Sequence, residues 1–223
     1  MGVMTKKKNK EKNEQEASKE PPIFLLDNPQ KSDDSKLRVL TLFGDVDEEK
    51  TADVCFGLIA YKELGKIEIL ENPEDYSSPV KETIYKPIDF YISTHGGQAL
   101  GMFGMYDTMR MVKEYYEINT YGVGKVMSAG VLLLAAGTKG KRKIGANCRV
   151  MMHSVRAEHY GNIHSLENNM KETRWIQEQH INALVKETNM SKKTLKRMLN
   201  KKIDVYLSAE QAVEYGIADE IIG

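Results

Sequence analysis

Twice between residues 88 and 137 an apolar, strand-like run stops at a glycine turn and passes into an apolar segment of helical character. The first unit is IDFYIST, Gly96-Gly97, then QALGMFGMYDTMRMVKEYY (98–116). The second is INTYGVG (118–124), leading through Lys125 and Val126 into the run that follows Ser128. Strands with nearly continuous apolar character, alternating with helices and joined by glycine-rich turns, indicate parallel βαβ units with both sheet faces covered. This pattern predicts a single α/β domain.

The flanking segments extend the reading. LRVLTLFG (37–44) is a strand, and residues 48–65 form a helix with Val54, Leu58 and Ile59 inward and Gly65 at its end. Residues 67–86 are polar and proline-containing in their middle, which suggests a surface insertion. RVMMH (149–153) is a fourth strand, and residues 162–188 carry apolar positions at helical spacing. Ser208 and Gln211 have the spacing of a capping box before a last helix and a short strand. Residues 5–20 are almost all Lys, Glu and small polar side chains. Such a stretch buries too little apolar area to offset its ordering entropy, so 1–36 reads as a disordered charged tail followed by a short arm.

Composition excludes several classes. The 32 basic and 32 acidic residues of the 223-residue chain cancel, so no net field draws it to nucleic acid or to an anionic membrane. The longest apolar run, within 129–137, is far short of the ~20 residues that cross a bilayer. Residues 1–10 lack the apolar segment of a secretory signal. Cys55 and Cys148 are too few for a disulfide framework and have no metal spacing, and neither do the five histidines. The expectation is a cytoplasmic protein without metal or organic cofactor.

Three polar residues stand at the rims of hydrophobic elements. Ser128 opens the run from Ala129 to Gly137, His153 ends the fourth strand, and Asp204 precedes the capped helix. Taken alone, each has a plainer role: a helix N-cap, a hydrogen-bonded core histidine, a solvated loop carboxylate. Together they are the nucleophile, base and acidic orienter of acyl-transfer chemistry. Val126 stands where the nucleophile elbow of α/β-hydrolases has its first glycine, so the motif is not that one.

The text around these residues resembles the ClpP family, the proteolytic subunits of Clp proteases, over about residues 37–222. The resemblance is carried by Ser128 and its helix running into Thr138-Lys139-Gly140-Lys141-Arg142, by Arg149-Val150-Met151-Met152-His153, by Tyr106-Asp107-Thr108-Met109, and by Leu207 to Gly216. The family's Ser-Pro-Gly-Gly reads Ser93-Thr94-His95-Gly96-Gly97 here, and Ala129 follows the serine where methionine is usual. The resemblance implies a ClpP/crotonase-like α/β fold over 37–223, with a protruding helical handle at about 154–190. It further implies a Ser128–His153–Asp204 triad and an oxyanion hole from the amides of Gly97 and Ala129. Its implied partners are unfolded polypeptide substrates, an AAA+ unfoldase and further copies of the chain in stacked heptameric rings. Two alternatives stay open: a non-catalytic ring subunit and a crotonase-type acyl-CoA enzyme.

Overall fold

The structure, a computed structural model, describes residues 37–199 and 203–223. The tail and arm expected over 1–36 lie outside those residues.

The chain opens with β1 (Val39–Phe43) and α1 (Glu48–Leu64), whose N-cap Asp47 accepts from the Lys50 amide. It continues through β2 (Lys66–Leu70) and β3 (Val80–Tyr85), then β4 (Ile88–Thr94), α2 (Ala99–Val112), β5 (Ile118–Met127) and α3 (Ala129–Ala135). The second half holds β6 (Arg142–Gly145), β7 (Arg149–Met152), α4 (Ile163–Glu187), α5 (Lys192–Leu199), β8 (Val205–Leu207), α6 (Ala209–Glu214) and β9 (Glu220–Ile222).

The main sheet runs β1-β4-β5-β6-β9, all parallel. Strand β5 is the pivot. Residues 120–122 pair with β6, whereas 125–127 pair with β7, which carries β8 antiparallel on its far side. The sheet therefore forks at the C-terminal end of β5, and parallel α/β sheets place their ligands beyond such strand ends. Helix α3 is buried from Ala129 to Ala135, against Ile92 and Val126 of the strands beneath it. A helix apolar on every side belongs inside a domain.

The α/β reading with parallel βαβ units holds. The capping box is also present, since the Ser208 side chain accepts from the Gln211 amide and the Gln211 side chain accepts from the Ser208 amide. Other expectations need correction. The segment 67–86, read only as a surface insertion, forms an exposed antiparallel hairpin, β2–β3, in a small sheet of its own. Ile59 is not in the core. It is 47% exposed, and Phe56 of the same helix is 71% exposed. The helix read over 98–116 ends at Val112, and the strand read over 118–124 continues to Met127. Asp204 is followed first by β8 and only then by the capped helix. Among the described residues no helix is long and apolar enough to cross a membrane.

Candidate active site

Register alone gathers the site. Met127 pairs with Met151, and the Ser128 amide donates to Met151 O at 2.8 Å, so Ser128 leaves β5 beside the end of β7. On the other side Met152 pairs with Val205 and Met151 with Tyr206. Carried one residue further, this antiparallel register sets His153 opposite Asp204, at the ~5 Å backbone spacing of facing residues. Strand β4 runs alongside with Thr94 paired to Val126, which brings the Gly96-Gly97 turn to Ser128. Four neighbouring strands thus deliver Gly97, Ser128, His153 and Asp204 to one sheet end.

Ser128 is not the plain helix cap that its position permits. Its side chain caps no amide of α3, and its backbone lies at φ 52°, ψ −115°. Among the described residues it is the one non-glycine with positive φ. Such a conformation costs about 1–3 kcal/mol and is kept where the surroundings over-determine it, most often at functional sites. The glycine turn is part of those surroundings. A Cβ on Gly96 would lie 2.5 Å from Ser128 Cβ, so only glycine lets the two loops meet. Gly97, at φ 149°, bridges to Val46, where the Val46 amide donates to Gly96 O and the Gln98 amide donates to Val46 O. Neither bond uses the N–H of Gly97, one of the two proposed oxyanion donors.

The side chains beyond Ser128 are in a different arrangement from a closed triad. His153 Nδ1 is 2.5 Å from the Ser154 carbonyl. A carbonyl only accepts, so Nδ1 donates, and in the neutral ring this leaves Nε2 as the acceptor, the tautomer a general base needs. Asp204 Oδ1 accepts from Arg156 Nη2 at 2.5 Å. Among the described residues no hydrogen bond joins Ser128 to His153 or His153 to Asp204. Catalytic hydrogen bonds in ligand-free sites are often long and tighten only around substrate.

Residues that the sequence did not single out complete the surroundings. Gln177 of α4 accepts from the Val155 amide at 2.6 Å and so ties the segment after His153 to that helix. One turn on, His180 is 7% exposed, and its Nε2 is buried without a hydrogen-bond partner among the described residues. Burial, with a smaller contribution from the charge of nearby His153, lowers its pKa to about 4. The only signal for either residue is its place on the inward stripe of α4, which an apolar residue would fill equally well. The hollow of about 480 Å³ lined by Arg110, Lys113, Lys139 and Glu187 includes none of the site residues. Two of its cations are engaged, Arg110 by Glu187 and Lys113 by the carbonyls of Ala136 and Gly137.

His180 makes stability depend on acid. The unfolded chain takes up a proton at this residue near pH 6.5, whereas the folded chain resists until about pH 4. Folding stability contributed here is therefore complete above pH 6.5 and falls as pH drops through that window, by about 3 kcal/mol in all. Urea unfolding at neutral pH and near pH 4 should show that His180→Leu loses less stability on acidification than the wild type. Equal losses in the two proteins would remove His180 as the source.

Comparison with known proteins bears on the whole arrangement. A profile of the Clp protease family matches residues 80–223. The chain is also similar to the ATP-dependent Clp protease proteolytic subunit of Deinococcus radiodurans, with 36% identity over 135 residues, which are 60% of this chain and 64% of that protein. The match thus spans less than two thirds of the relative's length. The family match takes in β3 through β9 and every residue of the candidate site, and the chain belongs to the Clp protease family.

Proposed function

We propose that this chain is a serine peptidase that cleaves peptide bonds of unfolded polypeptides through an acyl-enzyme. The observation that carries the reading is the convergence of strained Ser128, His153 and Asp204 on adjacent strand ends beside a glycine turn. In the proposed reaction Ser128 Oγ attacks the scissile carbonyl while His153 Nε2 takes its proton. The amides of Gly97 and Ala129 hold the oxyanion, and His153 returns the proton to the leaving amine. Water, deprotonated by His153, then releases the acyl group. Asp204, once turned to His153 Nδ1, stabilises the imidazolium formed in each step. A crotonase-type enzyme would leave the strained hydroxyl of Ser128 without a role.

The relative is named as the proteolytic subunit of an ATP-dependent protease. By that likeness we assign this chain a partner ATPase that unfolds substrates, and a ring assembly that encloses the sites. Exposed apolar side chains support assembly: Phe56 on α1, and Ile163, Met170 and Trp175 on α4. Ile163 and Met170, seven positions apart, share one side of α4, and an apolar outer face marks an interaction surface. Sedimentation should give particles many times the 25.3 kDa of one chain, and these should hydrolyse a fluorogenic peptide. A strictly monomeric species with full activity would refute the enclosed chamber, and assembled particles without peptidase activity would favour the non-catalytic ring subunit.

A further inference from the structure

Asp204 lies opposite His153 by register, yet its carboxylate is held by another residue. Arg156, three positions beyond His153, donates from Nη2 to Asp204 Oδ1 at 2.5 Å. His153 meanwhile donates a hydrogen bond from Nδ1 to the Ser154 carbonyl. Two separate hydrogen bonds stand where one bond from His153 to Asp204 would close the triad. The backbone between them is anchored, because Gln177 holds the Val155 amide. We propose that Arg156 is a positioning residue that brakes the peptidase by competing with His153 for Asp204. This inference rests on the Ser–His–Asp reading above.

Two physical effects act in the same direction. With Asp204 Oδ1 on the guanidinium, neither carboxylate oxygen is bonded to Nδ1, so the pair disfavours the turn that would close the triad. A cation in hydrogen-bond contact with the carboxylate also cancels part of the field that would stabilise the imidazolium. The pair is solvent-accessible, with the Arg156 side chain 69% exposed and that of Asp204 30%. Exposed pairs of this kind are weak and screened by salt. The brake is therefore modest, and its release should raise turnover roughly 2- to 5-fold.

Fluorogenic-peptide kinetics on the full chain test this, using wild type, Arg156→Gln, Arg156→Lys and Ser128→Ala at about 0.05 M and about 0.5 M salt, where screening differs several-fold. Arg156→Gln should raise kcat by the amount stated and leave KM little changed. Wild type should speed up with salt toward the variant, Arg156→Gln should be flat, and Arg156→Lys should restore both the slower rate and its salt response. A purely structural role for Arg156 would not produce a salt-dependent rate that vanishes with the charge. If Arg156→Gln is no faster than wild type while Ser128→Ala is silent, the brake is wrong and the peptidase reading survives. A lack of salt response in wild type also overturns the brake. Turnover that persists in Ser128→Ala overturns the reading beneath it.

Discussion

Ser128→Ala is expected to reduce peptide hydrolysis by a factor on the order of 10⁵–10⁶ with the fold intact. Removing the nucleophile of a comparable serine peptidase has an effect of that size, because the triad acts as a unit. Folding should survive for a reason visible at the residue. The Ser128 side chain caps no helix amide, so its loss orphans no backbone group of α3. Alanine keeps the cost of φ 52°, whereas glycine at this position would relieve it, so Ser128→Gly should be equally inactive and at least as stable. Thermal melts of the three proteins, beside their peptide turnover, separate chemistry from folding. A folded Ser128→Ala protein with undiminished turnover would require another nucleophile.

The largest effect on stability is expected at Arg142, far from any reacting group. Its side chain is 4% exposed. Nε and Nη2 both donate to Asp219, while Nη1 donates to the carbonyls of Ala135, Glu187 and Gly216. Ala135 and Glu187 end α3 and α4, and Gly216 follows the C-cap of α6, so one guanidinium ties the C-terminal ends of three helices to β6. Burial alone would raise the Asp219 pKa, but hydrogen bonds from Arg142 overcome it and hold the carboxyl below its usual value. Arg142→Met strips all of this at once. Breaking one side of a buried pair costs about 3–5 kcal/mol, a large share of the ~5–15 kcal/mol that holds a domain together. The melting temperature should fall by roughly 10 °C or more. Adding Asp219→Leu should recover only part of the loss, since the three carbonyls stay unpaired. A melt within a degree or two of wild type would show that water takes over the role of Arg142.

These two residues illustrate what a one-dimensional reading carries. The long strands and helices were legible because each spans enough residues to repeat its period: β4 buries every second residue from Ile88 to Thr94. Three short elements were not, since β6, β8 and α5 offer three to eight residues each and carry no motif that marks them. The β2–β3 hairpin was hidden by its exposure. Strands that are mostly solvated on both faces carry no strong apolar alternation, and the turn between them contains Pro73 and Pro79.

The site divides in the same way. The place of Ser128, His153 and Asp204 at element rims was legible, and strand register accounts for their proximity, while their proposed roles come from the family resemblance. Arg156, Gln177 and His180 were not, because their roles depend on which way α4 and the segment after β7 face each other. Arg142 was visible as the end of a basic loop, but nothing in a basic loop announces a buried guanidinium.

The central claim is that Ser128 is an activated nucleophile, and covalent labelling tests it most directly. A fluorophosphonate probe reacts with a serine hydroxyl only where a base and an oxyanion site are in place. Incubation of the assembled protein with the probe, followed by peptide mapping, should place one adduct per chain on Ser128, with none on Ser128→Ala. Label on a different serine, or equal labelling of wild type and Ser128→Ala, would contradict the account.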